Sequence, residues 1–246
     1  MTRIYSGWKR DPVDPRDHLF ALTAPASIPA VVDLSPKCSP VENQGQLGAC
    51  TGNSIVGAME YLDRNFKSDT IDLSRLFVYY NERVMEGTVK TDSGAVIRDG
   101  IKSLAKLGVC PESECPYDVR KFTVKPSAKA YKDALPHRIT SYERLSTLME
   151  MQACLAAGFP FVFGFEVFAS FESDAVAKTG IVPMPLPKEQ QLGGHAVCAV
   201  GYDINKGLMK VRNSWGAGWG DKGYFYMPFD YITNSKLASD FWTIRK

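Results

Sequence analysis

The spacing of apolar residues changes once along this chain, near Gly158, and that change sets the fold class. Ile55, Met59 and Leu62 recur at spacings of four and three, joined by Val56 and Ala58, which predicts a helix starting at or near Cys50. Further helices are predicted over about 74–85 and 95–107, the latter with Ile97, Ile101, Leu104 and Ala105 on one face and Gly108 as its stop. A fourth is predicted over about 142–157, ending at Gly158. Beyond it, the runs 161–165, 196–200, 209–211 and 224–227 read as short strands bounded by Gly or Pro. Helices first and strands second imply an α+β chain of two lobes with a cleft between them, one over about 50–140 and the other over about 141–246.

Residues 1 to about 34 have a different character. Asp11-Pro12 and Asp14-Pro15 are followed by Pro25 and Pro29, and each proline fixes its own φ and extends the residue before it. An extended arm is expected, with Trp8, Leu19 and Phe20 available to anchor it in a surface groove. The remainder, 35–246, is long enough for one domain with a sizeable core.

Composition removes several functions. A balance of 29 Lys and Arg against 27 Asp and Glu gives a formal charge of +2 and no basic stripe for nucleic acid. No apolar run reaches the roughly 18 residues of a membrane span. The first ten residues lack the apolar stretch of a secretory signal, so a cytoplasmic start is expected, with leaderless export left open. The six cysteines show no C-x-x-C pair, and no H-x-x-x-H occurs, so no metal and no cofactor are expected. Cys154 and Cys198 lie in apolar runs as buried thiols, and Cys110 and Cys115 could pair only if oxidised.

Two residues carry the chemistry. A thiol at a helix N-terminus faces unpaired N–H groups and the positive end of the helix dipole, which favour the thiolate. Cys50 has that setting, behind the glycine-bearing loop Gln44-Gly-Gln-Leu-Gly-Ala. His195 follows Gly193 and Gly194 and is expected at the edge of the strand it opens, accessible from a cleft. Asn213 could accept the imidazole N–H, with the Trp215 indole keeping water from that bond.

Taken together, these stretches resemble the papain family of cysteine peptidases. The loop ending at Cys50 is similar to that family's nucleophile loop, Gly194-His-Ala-Val-Cys-Ala-Val-Gly-Tyr202 to its histidine strand, and Asn213-Ser-Trp-Gly-Ala-Gly-Trp-Gly to its asparagine motif. Ser93-Gly94, followed by a helix and Cys115-Pro-Tyr117, resembles its substrate-binding segment. The resemblance implies a two-lobed fold, helical then β-barrel-like, and a hydrolase that cuts polypeptides through an acyl-enzyme. It makes Cys50 the nucleophile, ion-paired with His195, and Asn213 the orienting group under Trp215. Gln44 and the Cys50 N–H become oxyanion donors, each worth about 3 kcal/mol in the barrier. Ser93 and Gly94 would pair with an extended substrate. Gly164, Ala196 and Gly194 would line a roomy apolar pocket for the residue two before the cut.

The departures from the family pattern are also informative. Leu47 stands where the family has a disulfide cysteine, and the partner position near Thr91 is changed as well, as in bacterial-type members that open with an arm like Gly7-Trp8. Thr51 follows the nucleophile where the family has an aromatic. Only 49 residues precede Cys50, so residues 1 to roughly 30 are expected either to lie over the cleft as a short regulatory prosegment or to pack on the back. A monomer acting on polypeptides and open to proteinaceous inhibitors is expected. Other acyl-transfer chemistry on the same fold (exopeptidase, deamidase or isopeptidase), or a non-catalytic peptide-binding role, stands as the alternative.

Overall fold

A computed structural model of the protein describes residues 7–21, 28–67 and 70–246. The parts of the expected arm at 1–6 and 22–27 lie outside the described residues. In chain order the elements are β1 (Trp8–Lys9), β2 (Val31–Asp33), α1 (Cys50–Leu62), α2 (Arg75–Met85), β3 (Ala95–Val96), α3 (Ile97–Leu107), α4 (Ala128–Ala134) and β4 (Ser141–Arg144). They continue with α5 (Leu148–Ala156), β5 (Phe161–Phe168), α6 (Asp174–Thr179), β6 (Gln191–Asp203), β7 (Leu208–Arg212), β8 (Tyr224–Pro228), α7 (Phe229–Thr233) and β9 (Ala238–Arg245). Short 3-10 turns link several of these elements.

α1 begins at Cys50, as its apolar spacing requires, but all 13 of its residues are buried. It is a central helix rather than a surface one, packed on β6, α2 and α3 at once. Gly52 lets α2 come close, since a Cβ there would lie 2.7 Å from the Arg75 carbonyl oxygen. α2 starts where the Ser74 hydroxyl accepts the Phe77 N–H at 3.1 Å. α3 ends at Gly108, whose φ of 76° is left-handed.

Two expectations about elements need correction. The fourth predicted helix begins only at Leu148, because Thr147 and Glu150 form a capping box there. Residues 141–144 pair antiparallel with β9 instead, Ser141 opposite Arg245. Residues 95–96 are likewise a strand ahead of α3.

The large sheet runs β4-β9-β5-β6-β7-β8, with β2 added to β6. Alternation along its strands sorts two cores. Val162, Ala196, Cys198 and Val200 face α1 and the other helices. Phe161, Phe163, Phe165, Val197 and Ala199 join a second, aromatic core with Phe171, Trp219 and Phe225. The small side chains on the helix-facing side of β6 let α1 lie close, which brings its N-terminus to the strand that carries His195.

The arm crosses from one lobe to the other. β1 pairs parallel with β3, Trp8 opposite Ala95. Further on, Asp17 binds Arg98 of α3 at 3.2 Å and Arg144 of β4 at 3.0 Å. Trp8 is buried and Phe20 packs partly on the aromatic core, whereas Leu19, an expected anchor, is 67% exposed.

Candidate active site

The loop before α1 is fixed from both sides. Gln44 donates its backbone N–H to the Ser214 carbonyl at 2.9 Å and accepts the Ser214 hydroxyl on Oε1 at 2.5 Å. Its Nε2 donates to the Leu47 carbonyl at 2.9 Å, and Tyr117 donates its hydroxyl to the Gln44 carbonyl at 3.0 Å. Gly45, with φ of 63°, turns the chain, and Ala49 leads into the helix. Cys50 therefore sits on the first residue of α1, with its own N–H and that of Thr51 turned towards the sulfur.

His195 lies within β6, opposite Phe165 on β5, and is only 1% exposed. The expected accessible strand edge is thus corrected: the strand begins four residues earlier, at Gln191, and the histidine is enclosed. Its Nε2 lies 2.8 Å from Asn213 Oδ1. The Trp215 indole stacks on the imidazole at 4.9 Å between centroids and 24° between planes. Asn213 is itself buried, and its Oδ1 also accepts the Ser214 N–H at 2.8 Å. The next residue on the strand, Ala196, donates its N–H to Cys50 Sγ at 3.3 Å. The structure thus brings Gln44, Cys50, His195, Asn213 and Trp215 together from the loop, α1, β6 and the segment after β7.

The arm occupies the cleft in front of this group. A Cβ added to Gly7 would lie 2.5 Å from Cys50 Sγ. The Trp8 indole fills the next pocket: a Cβ on Gly164 would overlap it, and one on Gly194 would come within 2.6 Å. Its N–H reaches Asp240 Oδ2 at 3.2 Å, and Asp240 is bridged by Arg144 at 3.2 Å. So the pocket has small walls and a charge-compensated carboxylate at its end. Trp8 as the pocket's occupant and Asp240 at its end were not read from the sequence, since both arise from chain segments more than 150 residues apart.

Gly94 and Ser93 are placed beside the cleft, but their polar groups face inward. Gly94 donates its N–H to the Tyr79 hydroxyl at 3.2 Å, and the Ser93 hydroxyl donates to Thr88 Oγ1 at 2.9 Å. The edge that the arm uses is one residue further on, where Ala95 donates its N–H to the Gly7 carbonyl at 3.0 Å.

Burial shifts the Cys50 thiol. It pushes the Cys50 thiol from its ordinary value up to about 12, and Glu82 pushes in the same direction; the N–H groups of Ala196, Thr51 and Cys50 oppose them. In this covered form burial opposes the charged sulfur, and the three N–H groups favour it. Among the described residues no cluster of His, Cys, Asp or Glu is arranged to hold a metal ion, and no helix is long and apolar enough to cross a membrane. All six cysteines are free, Cys110 and Cys115 included.

Comparison with known proteins agrees with this geometry. The model of the papain family cysteine proteases matches residues 28–243. A peptidase C1-like protein of Acanthamoeba polyphaga mimivirus is 44% identical over 245 residues, covering 92% of this chain and 79% of that one. Cysteine proteinase 1 of Entamoeba histolytica is 29% identical over 207 residues, covering 79% of this chain and 61% of that one. Among solved structures, xylellain, a cysteine protease from Xylella fastidiosa, superposes with a TM-score of 0.92 at 43% identity, covering 100% of this chain and 98% of its own. An inhibitor-bound cysteine protease of Carica candamarcensis shares the fold at a TM-score of 0.68 and 23% identity, covering 89% of this chain and 99% of that one. A buried thiol at a helix N-terminus, an imidazole oriented by an asparagine under an indole, and a match over nearly the whole chain all agree: this chain belongs to the papain family of cysteine proteases, hydrolases that act on polypeptides.

Proposed function

We propose that the chain is a latent cysteine endopeptidase whose N-terminal arm covers its own cleft in the reverse direction. A single relationship carries the latency: Gly7 lies at the nucleophile, Trp8 in the adjoining pocket, and Lys9 and Arg10 beyond it. Read outward from Cys50, the arm runs from N to C. The acyl side of a substrate must run from C to N there, because its carbonyl carbon has to meet the sulfur. The arm therefore fills the subsites without presenting a scissile bond in the productive sense.

Once the arm leaves, water and substrate reach the pair. His195 takes the thiol proton, and Cys50 Sγ attacks the scissile carbonyl carbon. The negative charge that forms on the oxygen is met by the Cys50 N–H and a Gln44 Nε2 hydrogen, on a loop already fixed by Ser214 and Tyr117. The imidazolium, held by Asn213, gives its proton to the leaving amine. Water, activated by the same imidazole, then hydrolyses the thioester and restores the thiol. One chain supplies all of these groups, consistent with action as a monomer.

The pocket lined by Gly164, Gly194 and Ala196 accepts a bulky aromatic side chain two residues before the cut. Occupation by Trp8 supports this, and the bridging of Asp240 by Arg144 favours an aromatic residue over a second cation. Lys9 and Arg10 continue past the pocket, so chains longer than a dipeptide fit on the acyl side, which favours endopeptidase action over dipeptide trimming.

The test compares the full chain with its Trp8→Ala variant. Truncating a buried Trp costs about 3–5 kcal/mol, so the closed form should lose at least about 100-fold in population. Alkylation of Cys50 by an active-site epoxide, and cleavage of peptides with an aromatic residue at that subsite, should rise together. Equal labelling of both proteins would reject latency. Labelling without cleavage of any peptide would reject the peptidase reading.

A further inference from the structure

Two loops must keep a fixed spacing for the chemistry above. One, 44–49, carries the oxyanion donor and leads into Cys50. The other, 91–94, leads into the edge with which an extended chain pairs. Leu47 leaves no thiol on the first loop to join the second covalently. The structure contains a different link at the same place.

The Gly48 N–H points at the Asp92 carboxylate, 3.1 Å from Oδ1 and 3.0 Å from Oδ2. The loop is pressed against that group, since a Cβ on Gly48 would stand 3.0 Å from Asp92 Oδ1. On the other side, the Tyr79 hydroxyl donates to Asp92 Oδ1 at 2.5 Å and accepts the Gly94 N–H at 3.2 Å. One carboxylate thus joins the two loops through a tyrosine that rises from α2. Burial first, and then the carboxylate beside it, push the Tyr79 hydroxyl far up, so it remains a donor at every relevant pH.

The tyrosine is held in turn. Arg83, one turn further along α2, lays its guanidinium 4.1 Å from the Tyr79 ring centroid. It donates to the carbonyls of Tyr79 at 3.1 Å, Val89 at 2.9 Å, Thr91 at 3.2 Å and Phe122. The same cation therefore fixes the backbone that leads to Asp92 and supplies positive charge near its carboxylate.

We propose that Asp92 is a positioning residue for the hydrolysis: with Tyr79, it sets the distance between the oxyanion loop and the substrate-pairing edge that a covalent crosslink would otherwise set. Asp92 touches neither substrate nor sulfur and acts only through Gly48 and Gly94. The proposal rests on the reading of Cys50 and Gln44 given above.

The experiment uses the full-length chain carrying Trp8→Ala, as parent and with Asp92→Asn, Asp92→Glu or Tyr79→Phe. Two rates are read: hydrolysis of a peptide amide, which needs the oxyanion donors, and alkylation of Cys50 by iodoacetamide, which does not. Asp92→Asn should lower kcat about 30-fold, as small misplacements of catalytic groups do, with alkylation within about twofold of the parent. Asp92→Glu should recover part of the loss. Tyr79→Phe removes the hydroxyl that joins Asp92 to Gly94 but leaves the bonds from Gly48 to Asp92, so it should raise KM about fivefold with kcat nearly kept. Parental kcat and KM in Asp92→Asn overturn the proposal. So does a parallel loss of hydrolysis and alkylation with a falling melting temperature, which would mark a merely structural residue. Absence of Cys50 alkylation in the parent itself overturns the reading of the site, and the proposal with it.

Discussion

A Cβ on Gly7 would stand 2.5 Å from Cys50 Sγ, so the arm passes that thiol as bare backbone and nothing larger. Gly7→Ala should force the arm away from the thiol. Overpacking of this kind costs about 1–3 kcal/mol, so alkylation of Cys50 in the full chain should accelerate about tenfold over the unsubstituted protein. An unchanged rate would show that the arm yields without opening.

Asn213 orients the imidazole through a contact of 2.8 Å, and the Trp215 indole stacks on the ring. In the Trp8→Ala background, Asn213→Ala should lower kcat about 100-fold while leaving KM within about threefold, since only proton transfer loses its orientation. Steady-state kinetics on one aromatic-containing peptide decides this. A change confined to KM would assign Asn213 to binding instead.

Release of the arm should depend on pH, through Asp11 and Asp240. Asp240 Oδ2 accepts the Asp11 N–H at 2.9 Å, and Trp242 donates its indole N–H to Asp11 Oδ2 at 2.7 Å. Arg144 of β4 and Arg98 of α3, with Asp17 between them, face the same cluster. Burial, and then the facing Asp240, raise the Asp11 carboxyl; burial raises Asp240 as well. A carboxyl whose docked value is raised binds its proton more tightly when docked. Its contribution to docking is therefore complete below the ordinary carboxylate range and is lost as pH rises towards neutrality. Tryptic nicking of the arm, taken as the ratio of parent to Asp11→Asn at each pH, should climb about tenfold or more between pH 5 and pH 8. A flat ratio would remove the pair from control of the arm.

Gly164 lines the arm's berth, which is also the proposed substrate pocket. Gly164→Leu should weaken docking, raising labelling of Cys50 in the full chain, and should also exclude aromatic side chains from the subsite. A loss of about 50-fold in kcat/KM for an aromatic residue relative to alanine is expected from the lost space. A substrate-library profile still led by aromatics would place the pocket elsewhere.

Glu82 is buried under α1, where the Thr51 hydroxyl donates to its Oε2 at 2.7 Å. Burial raises its carboxyl well above the ordinary value, and Glu86 and Asp99 add to that rise. The folded value exceeds the unfolded one, so the charged form penalises folding increasingly as pH rises above the ordinary glutamate range. Glu82→Gln should therefore melt higher than the parent at pH 7.5, at roughly 2–4 °C for each kcal/mol relieved, with the gain vanishing near pH 4. A lower melting temperature at both pH values would show that Gln cannot replace the carboxyl's hydrogen bonds.

Much of the fold is visible in local pattern. The starts of α1 and α2 and the Gly108 stop of α3 follow from spacing and caps that lie within a few residues. The predicted helix at 142 failed where a long-range partner intervened, because β9, about a hundred residues later, claims 141–144 as an edge strand. α4 was not predicted, since its seven residues carry too short an apolar pattern. The exposure expected for His195 failed for a similar reason: enclosure depends on Trp215 and on the arm, not on the flanking glycines.

The sequence alone named the candidate reacting groups, because a thiol at a helix start, an imidazole on a glycine-led strand and an amide in an aromatic loop are local patterns whose combination resembles the papain family. Only the tertiary structure decided their surroundings. Covering of the cleft by Gly7 and Trp8, the burial that pushes the Cys50 thiol up, and the Asp92 link between the two loops all depend on groups separated by 40 to more than 200 residues. Burial and hydrogen bonding are properties of the three-dimensional neighbourhood, and no local spacing encodes them.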